Sequence, residues 1–327
     1  MTSFVKPAVP VVFATDDQYA AFCSVSIASL IANCDKTRPY LVYIFYDTLT
    51  QENKDKLIRM GTDNVTVEMV QVSQYVNREL FYIRDRLTIT SYFRLFAGEV
   101  LPQHDKAIYL DSDIVILRDV GELYDIDIGD NLVGACMDGK NPKGHKRRIK
   151  KILKRPVSIY FNSGVLSMNL KQFRLQHFLE KCYTFLQVNR ELTWMDQDTL
   201  NCLCYGSVFL FPIRWNKFQS YVRDDFCREH TLGDTAIIHY VNSYKPCLVS
   251  IRQSHIPFYQ YTLLSPYREE LTQKIHEANA KTTLMNREAI PFVAVLCEQG
   301  YAGPRYLFGC SKRWLRGWIE RRCKQKS

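Results

Sequence analysis

The sequence predicts an α/β fold: a mixed, mostly parallel sheet with a small C-terminal extension. Three observations lead there. Short, near-continuous apolar runs alternate with helical patterns over the first ~120 residues, as they do where strands are buried on both faces. The chain has 327 residues, 46% hydrophobic and 24% charged, an ordinary globular composition with ample length for one large core. Several apolar runs end in acids or a histidine, at the edge where open α/β sheets bind ligands.

The elements follow in order. "PVVFA" (10–14) is the first strand, followed by a helix over 18–32 whose close-packed face carries Phe22, Val25, Ser26, Ala28 and Ile31. "YLVYIFY" (40–46) is the second strand, and a helix at 50–60 takes Thr50 as its N-cap. "VTVEMVQV" (65–72) alternates, and "KAIYL" (106–110) is a core strand. "LVGACMD" (132–138) and "YFNSGVLSMNL" (160–170) continue the sheet, followed by helices at 171–188 and 196–205. "SVFLF" (207–211) and "TAIIHY" (235–240) are the last strands, and after about 250 the pattern loosens. No internal repeat and no low-complexity linker interrupt this order. The division expected is a main domain over 1–250 and an extension over 251–327.

No apolar run reaches the ~18–20 residues of a membrane span. "VPVVFA" is shorter than the apolar region of a signal peptide and ends in Asp16-Asp17 rather than a cleavage site. A cytoplasmic protein is therefore expected. The 11 cysteines are odd in number and follow no repeating spacing. Cys202 and Cys204 form a C-x-C with no second pair, so core filling is favoured over zinc.

The stretch "KAIYLDSDIVILRDV" (106–120) poses the functional question, because a strand this apolar breaks on Asp111-Ser112-Asp113. Ionised carboxylates buried without a partner cost several kcal/mol, so either the pair lies at the mouth of a cleft with a cation or the strand reading is wrong. Asp16-Asp17, Asp111 with Asp113, Asp138 and His239 all end strands. Acids at strand ends form turns individually; four such ends together describe a site. The chain has no G-x-G-x-x-G and no G-x-x-x-x-G-K-[ST] loop with which to cradle phosphates. A divalent cation can hold a diphosphate instead, and two carboxylates with one imidazole suit Mg2+ or, better, Mn2+.

Six segments, "FATDDQYA", "TSYFRL", "YLDSDIVI", "YFNSGVLSMNL", "DQDTLN" and "HYVNSYKP", stand in the order and spacing of glycosyltransferase family 8. Over residues 8–250 the chain resembles that family's bacterial lipopolysaccharide galactosyl- and glucosyltransferases. The resemblance implies a GT-A fold, a Rossmann-like architecture for nucleotide-diphospho-sugars, and transfer of a hexose from a UDP-sugar with Mn2+ and retention of configuration. It implies Asp111, Asp113 and His239 as metal ligands, with Ser112 between them at the nucleotide, and Ala14, Asp16 and Asp17 at uracil and ribose. Arg94, Asp138 and Asn162 match contacts to the donor sugar or diphosphate. Asp196 and Gln197 match the acid and amide flanking the reacting carbon, and Lys245 matches the lysine on the diphosphate. Two positions depart from the family: Asn242 replaces a usual glycine and Cys247 a usual tryptophan. Asn tolerates the left-handed backbone that such a turn requires.

The net charge of +9 is uneven. Residues 140–156 carry nine Lys or Arg and no acid, and residues 311–327 carry seven against Glu320, which leaves −6 for the remainder. In the tail, Trp314, Leu315, Trp318 and Ile319 share one helical face with cations elsewhere. Residues 306–327 thus suit an anionic membrane surface, and the enzyme is expected on the inner face of the cytoplasmic membrane. A basic nucleic-acid tail or a docked helix are the competing readings; no RNA-binding motif accompanies it, so no nucleic acid is expected. The 140–156 cluster either binds phosphates of a glycolipid or oligosaccharide acceptor or is a solvated helix face. Rival functions are a metal-dependent nucleotidyltransferase and an inactive membrane-bound sugar-nucleotide binder.

Overall fold

A computed structural model describes residues 6–81, 88–139, 142–190, 192–221, 232–241, 245–249 and 252–283. The sheet is built first. β1 (Val9–Ala14), β2 (Tyr40–Tyr46) and β3 (Val65–Gln71) run parallel, with β4 (Lys106–Leu110) parallel on the other side of β1. β7 (Phe161–Asn169) then pairs antiparallel with both β4 and β6 (Val133–Met137), and β8 (Val208–Leu210) closes the edge parallel to β6. The order is β3-β2-β1-β4-β7-β6-β8. Proline is unusual in a central strand, but Pro10 lies before the point where β1 meets β4, at Val11.

Side-chain alternation in β1 divides the core. Val9, Val11 and Phe13 face one cluster, which contains α1 (Ala20–Asn33), while Val12 and Ala14 face the other. The second cluster is covered by a 3-10 segment over Ile89–Phe96, and by α6 (Leu170–Leu175), α7 (Phe178–Val188) and α8 (Met195–Leu203). α2 (Gln51–Ile58) and α4 (Val120–Asp125) add Leu57, Val120 and Leu123 to the first cluster, α3 (Ala97–Val100) adds Ala97 to the second, and α5 (Pro142–Leu153) packs against α8.

A second, three-stranded sheet sits past the end of β4, in the order β5-β10-β9, formed by β5 (Ile114–Ile116), β9 (Lys217–Phe218) and β10 (Ile237–His239). The apolar run after Asp113 therefore does not continue β4; it changes sheet. Three polar groups of α1 hold the change. Ser26 Oγ donates to the carbonyls of Ser112 and Ile114, Ser29 Oγ accepts from Ile116 N–H, and Asn33 Nδ2 donates to Ile116 O.

The expected helix over 171–188 is two helices, because His177 adopts a left-handed backbone (φ 51°) between α6 and α7. Thr50 stands at the N-cap of α2 without a side-chain cap bond; its Oγ1 donates to Asp17 instead, at 2.8 Å. Cys202 and Cys204 are buried without a disulfide. Beyond residue 250, α9 (Ile256–Thr262) packs against α1 and α10 (Arg268–Thr283) against α9, and Phe258, Tyr261, Leu271 and Ile275 enter the first core cluster. No helix among the described residues is long and apolar enough to cross a membrane. Asn242 and the tail 306–327 lie outside the described residues.

Candidate active site

The site lies where β4 ends and the sheet changes. The Asp111 amide donates to Gly164 O (2.8 Å), and Tyr240 N–H donates to Asp113 O (3.0 Å), so both aspartates leave ordered backbone. One oxygen of each aspartate, with an imidazole nitrogen of His239, lies within 4.8 Å of the other two ligand atoms. His239 Nε2 stands 3.5 Å from Asp111 Oδ2 and 3.4 Å from Asp113 Oδ1.

The tautomer of His239 follows from its neighbours. Asn216 Nδ2 donates to Asn162 Oδ1 (2.7 Å), which turns Asn216 Oδ1 toward His239 Nδ1 at 2.9 Å. With the proton on Nδ1, the bare Nε2 lone pair faces two carboxylates. Three acceptors directed at one small volume fit a cation, and an outer amide fixing the imidazole is the usual support of a metal-binding histidine. Gly164 preserves the space, since a Cβ there would meet His239 Cε1 at 2.2 Å and Asp111 Oδ2 at 2.5 Å.

Two cations flank the triad. Lys245 Nζ donates to Asp113 Oδ2 (2.6 Å) and to Tyr19 OH (3.0 Å). Burial opposes ionisation of Asp113, but the Lys245 ammonium beside it favours the charged form, and the carboxyl is held well below its ordinary range. Arg94 is buried and lies between two acids: Nη2 donates to Asp111 Oδ1 at 2.8 Å, and Nε is 3.2 Å from Asp196 Oδ2. Its Nη1 donates to Ser163 O, so its described contacts are to protein groups that it positions. Burial pushes the Asp196 carboxyl up to about 6; Arg94 opposes that shift and Asp111 adds to it.

From Asn162 an amide chain crosses the site. Asn162 Nδ2 and Ser163 N–H both donate to Gln197 Oε1, at 2.9 and 3.1 Å. Gln197 Nε2 in turn donates to Asp138 Oδ2 and Tyr160 OH, each at 3.1 Å. Ser163 Oγ donates to Asp196 Oδ2 (2.9 Å). The structure thus joins Arg94, Asp111, Asp113, Asp138, Asn162, Asp196, Gln197, His239 and Lys245 in one network. Ser112 is on its border, with Oγ donating to Ala14 O at 2.7 Å. Asp16 Oδ1 accepts from the amides of Gln18 and Tyr19, which forms the turn into α1. Asp17 is placed differently: its Oδ1 accepts from Thr50 and Asn53, tying it to the start of α2.

Sequence reading missed Tyr19, Tyr160, Ser163, Gly164 and Asn216. Ser163 and Gly164 stand inside "YFNSG", beside Asn162, and Tyr160 opens it. Asn216 carried no signal.

An α/β sheet with a D-x-D at the end of a core strand, a histidine opposite and an amide-rich floor defines a nucleotide-sugar transferase of the GT-A class. The profile of glycosyl transferase family 8 matches residues 10–248, and the chain belongs to that family. General stress protein A of Bacillus subtilis is 26% identical over 255 residues, which cover 72% of this chain and 86% of that protein. The lipopolysaccharide 1,3-galactosyltransferase of Salmonella typhimurium is 24% identical over 245 residues, covering 72% of each. Among solved structures, galactosyltransferase LgtC in complex with donor and acceptor sugar analogues aligns with a TM-score of 0.62 and 26% identity, over 83% of this chain and 96% of that one. The bifunctional glycosyltransferase WbbM aligns with a TM-score of 0.68 and 22% identity over 84% of this chain, which spans 53% of WbbM.

Proposed function

We propose that the chain is a retaining hexosyltransferase that moves galactose or glucose from a UDP-sugar to a saccharide acceptor of a cell-surface glycan, of the lipopolysaccharide kind. One observation carries this reading: Asp111, Asp113 and His239 converge beside Lys245, at the head of an amide chain that ends on Gln197 and Asp138. The likeness to a lipopolysaccharide galactosyltransferase and to LgtC supports the acceptor and donor classes.

Asp111, Asp113 and His239 would hold Mn2+ or Mg2+, which supplies positive charge against the charge developing on the departing diphosphate. Lys245 adds to this at the same end, because Asp113 keeps its ammonium charged against the opposing effect of burial. Ser112, Ala14, Asp16 and Asp17 frame the nucleoside side. At the other end Gln197 is a weak nucleophile: an amide has no charge, and its Oε1 already accepts two hydrogen bonds. That favours a same-face displacement, in which the leaving phosphate helps take the acceptor's proton, over a covalent glycosyl-enzyme. Asp196, paired with Arg94 and hydrogen-bonded by Ser163, shapes the sugar pocket beside it.

Measuring UDP release from a panel of UDP-sugars with Mn2+ tests the reading. One UDP-hexose is expected to turn over, with Asp111→Asn inactive. Pyrophosphate release would indicate a nucleotidyltransferase. UDP-sugar binding without turnover would indicate an inactive binder. The same reading places the enzyme on the inner face of the cytoplasmic membrane through 306–327, supported by the interleaved tryptophans and arginines of that segment. Deleting 306–327 is then expected to release the protein from anionic liposomes and spare UDP-sugar hydrolysis.

A further inference from the structure

We infer that the exposed cationic face of α5 is the docking surface for phosphate groups carried by the saccharide acceptor; this deepens, and rests on, the glycosyltransferase reading above. The inner face of α5 is fastened to the transfer site. His145 stacks on Tyr160 with ring centroids 4.6 Å apart and an interplanar angle of 4°. Its Nε2 lies 3.9 Å from Asp138 Oδ1. Arg148 donates twice to the fully buried Asp198, at 3.0 and 2.7 Å. Asp198 follows Gln197 in the chain, and Tyr160 OH bonds both residues. Ile149 completes the inner face, packed with Tyr160 and Cys202.

The outer face is cationic. Lys143, Arg147, Lys150 and Lys151 are exposed and Lys146 is half-buried. None of the five forms an ion pair among the described residues. They stand in like-charged pairs four apart (143 with 147, 146 with 150, 147 with 151), each of which disfavours a helix in isolation. No acid lies between residues 140 and 156 to relieve them. A helix built against its own electrostatics, on the floor of a transfer site, fits an anionic partner.

The location selects the partner. The donor's diphosphate is provided for at the Asp113–Lys245 end of the site, whereas α5 meets the Asp138–Gln197 end, where the sugar is handed over. A bilayer is disfavoured: Ile149 is buried, Ile152 and Leu153 pack toward Tyr160, and the exposed positions of α5 carry no apolar side chain to insert. Lysine and arginine arrays on a helix suit clustered phosphates on a glycan.

The test uses the full chain and deacylated lipopolysaccharide oligosaccharide, with its phosphates intact or removed by hydrogen fluoride. Binding is measured by calorimetry without donor, so the result does not depend on turnover. The wild type is expected to bind the phosphorylated glycan about 16-fold more tightly, the product of roughly twofold at each of four exposed charges. K143Q/R147Q/K150Q/K151Q is expected to lose that preference, and K143R/R147K/K150R/K151R to keep it, with neither melting below the wild type. Equal wild-type affinity for the two glycans would overturn the proposal. So would a glutamine variant that keeps the preference, or one that loses only binding to phosphatidylglycerol vesicles. UDP release assayed separately on the wild type judges the glycosyltransferase reading by itself.

Discussion

At Gly164 the backbone of β7 passes within a methyl group's width of two metal-ligand candidates, and the Asp111 amide bonded to its carbonyl keeps either strand from retreating. Gly164→Ala must therefore move the imidazole or the carboxylate. We expect Mn2+ affinity to fall by about 10- to 100-fold, the range seen when the support of a metal ligand is lost, with the far-UV circular dichroism intact. Unchanged Mn2+ titration in that variant would remove the triad as the metal site. Asp196 offers a test by pH. Its carboxyl titrates at about 6 in the fold against about 3.9 in an unfolded chain, so folding favours the protonated form. That stabilisation is complete below about pH 4 and is lost as pH rises through about 6. Asp196→Asn is neutral throughout, so wild-type stability relative to the variant is expected to drop by about 2–3 kcal/mol between pH 4 and 6.5. Urea denaturation in a chelator measures it; a difference independent of pH would contradict the buried placement.

Helix α8 is where two neighbours in sequence face two tasks: Gln197 points into the site while Asp198, fully buried, holds α5 through Arg148. Arg148→Leu leaves that carboxylate, among the described residues, with Tyr160 OH and the Trp194 amide. Breaking a buried pair from one side costs about 3–5 kcal/mol, so the melting temperature is expected to fall by roughly 6–10 °C. Adding Asp198→Asn should recover most of the loss, and a double variant no better than the single would refute the pairing. The strands were legible because β2 and β4 are unbroken apolar runs, which only a doubly covered sheet accommodates. The metal ligands were legible because charge at the end of such a run has few explanations. The break at His177 was not: "LKQFRLQHF" keeps helical spacing, and only a positive φ, with no Gly or Pro to announce it, divides α6 from α7. Asn216 was hidden for a related reason. An uncharged amide beside Trp215 leaves no mark in sequence, although it sets the tautomer of His239.

Across the whole molecule the described C-terminal helices complete the core on the α1 side. Phe22 meets Phe258, Ser24 Oγ is 2.6 Å from Ser265 Oγ, Asn33 bonds Tyr261, and Tyr267 OH donates to Asn53 Oδ1 at 2.7 Å. The last bond also links the residue leading into α10 to the segment that tethers Asp17, since Asn53 Nδ2 donates to Asp17. α1 in turn holds Ser112 and β5 in place, so the C-terminal helices brace the metal site from behind. Burying Phe258, Tyr261, Leu271 and Ile275 contributes about 1.5–3 kcal/mol each, roughly 6–12 kcal/mol together, against a net stability of about 5–15 kcal/mol. A fragment of residues 1–250 is therefore expected to lose cooperative thermal unfolding and to bind ANS, whereas 1–283 keeps both a sharp transition and the Mn2+ site. A 1–250 fragment that melts sharply and binds Mn2+ as the full chain does would mean that α9 and α10 merely coat a domain able to stand without them.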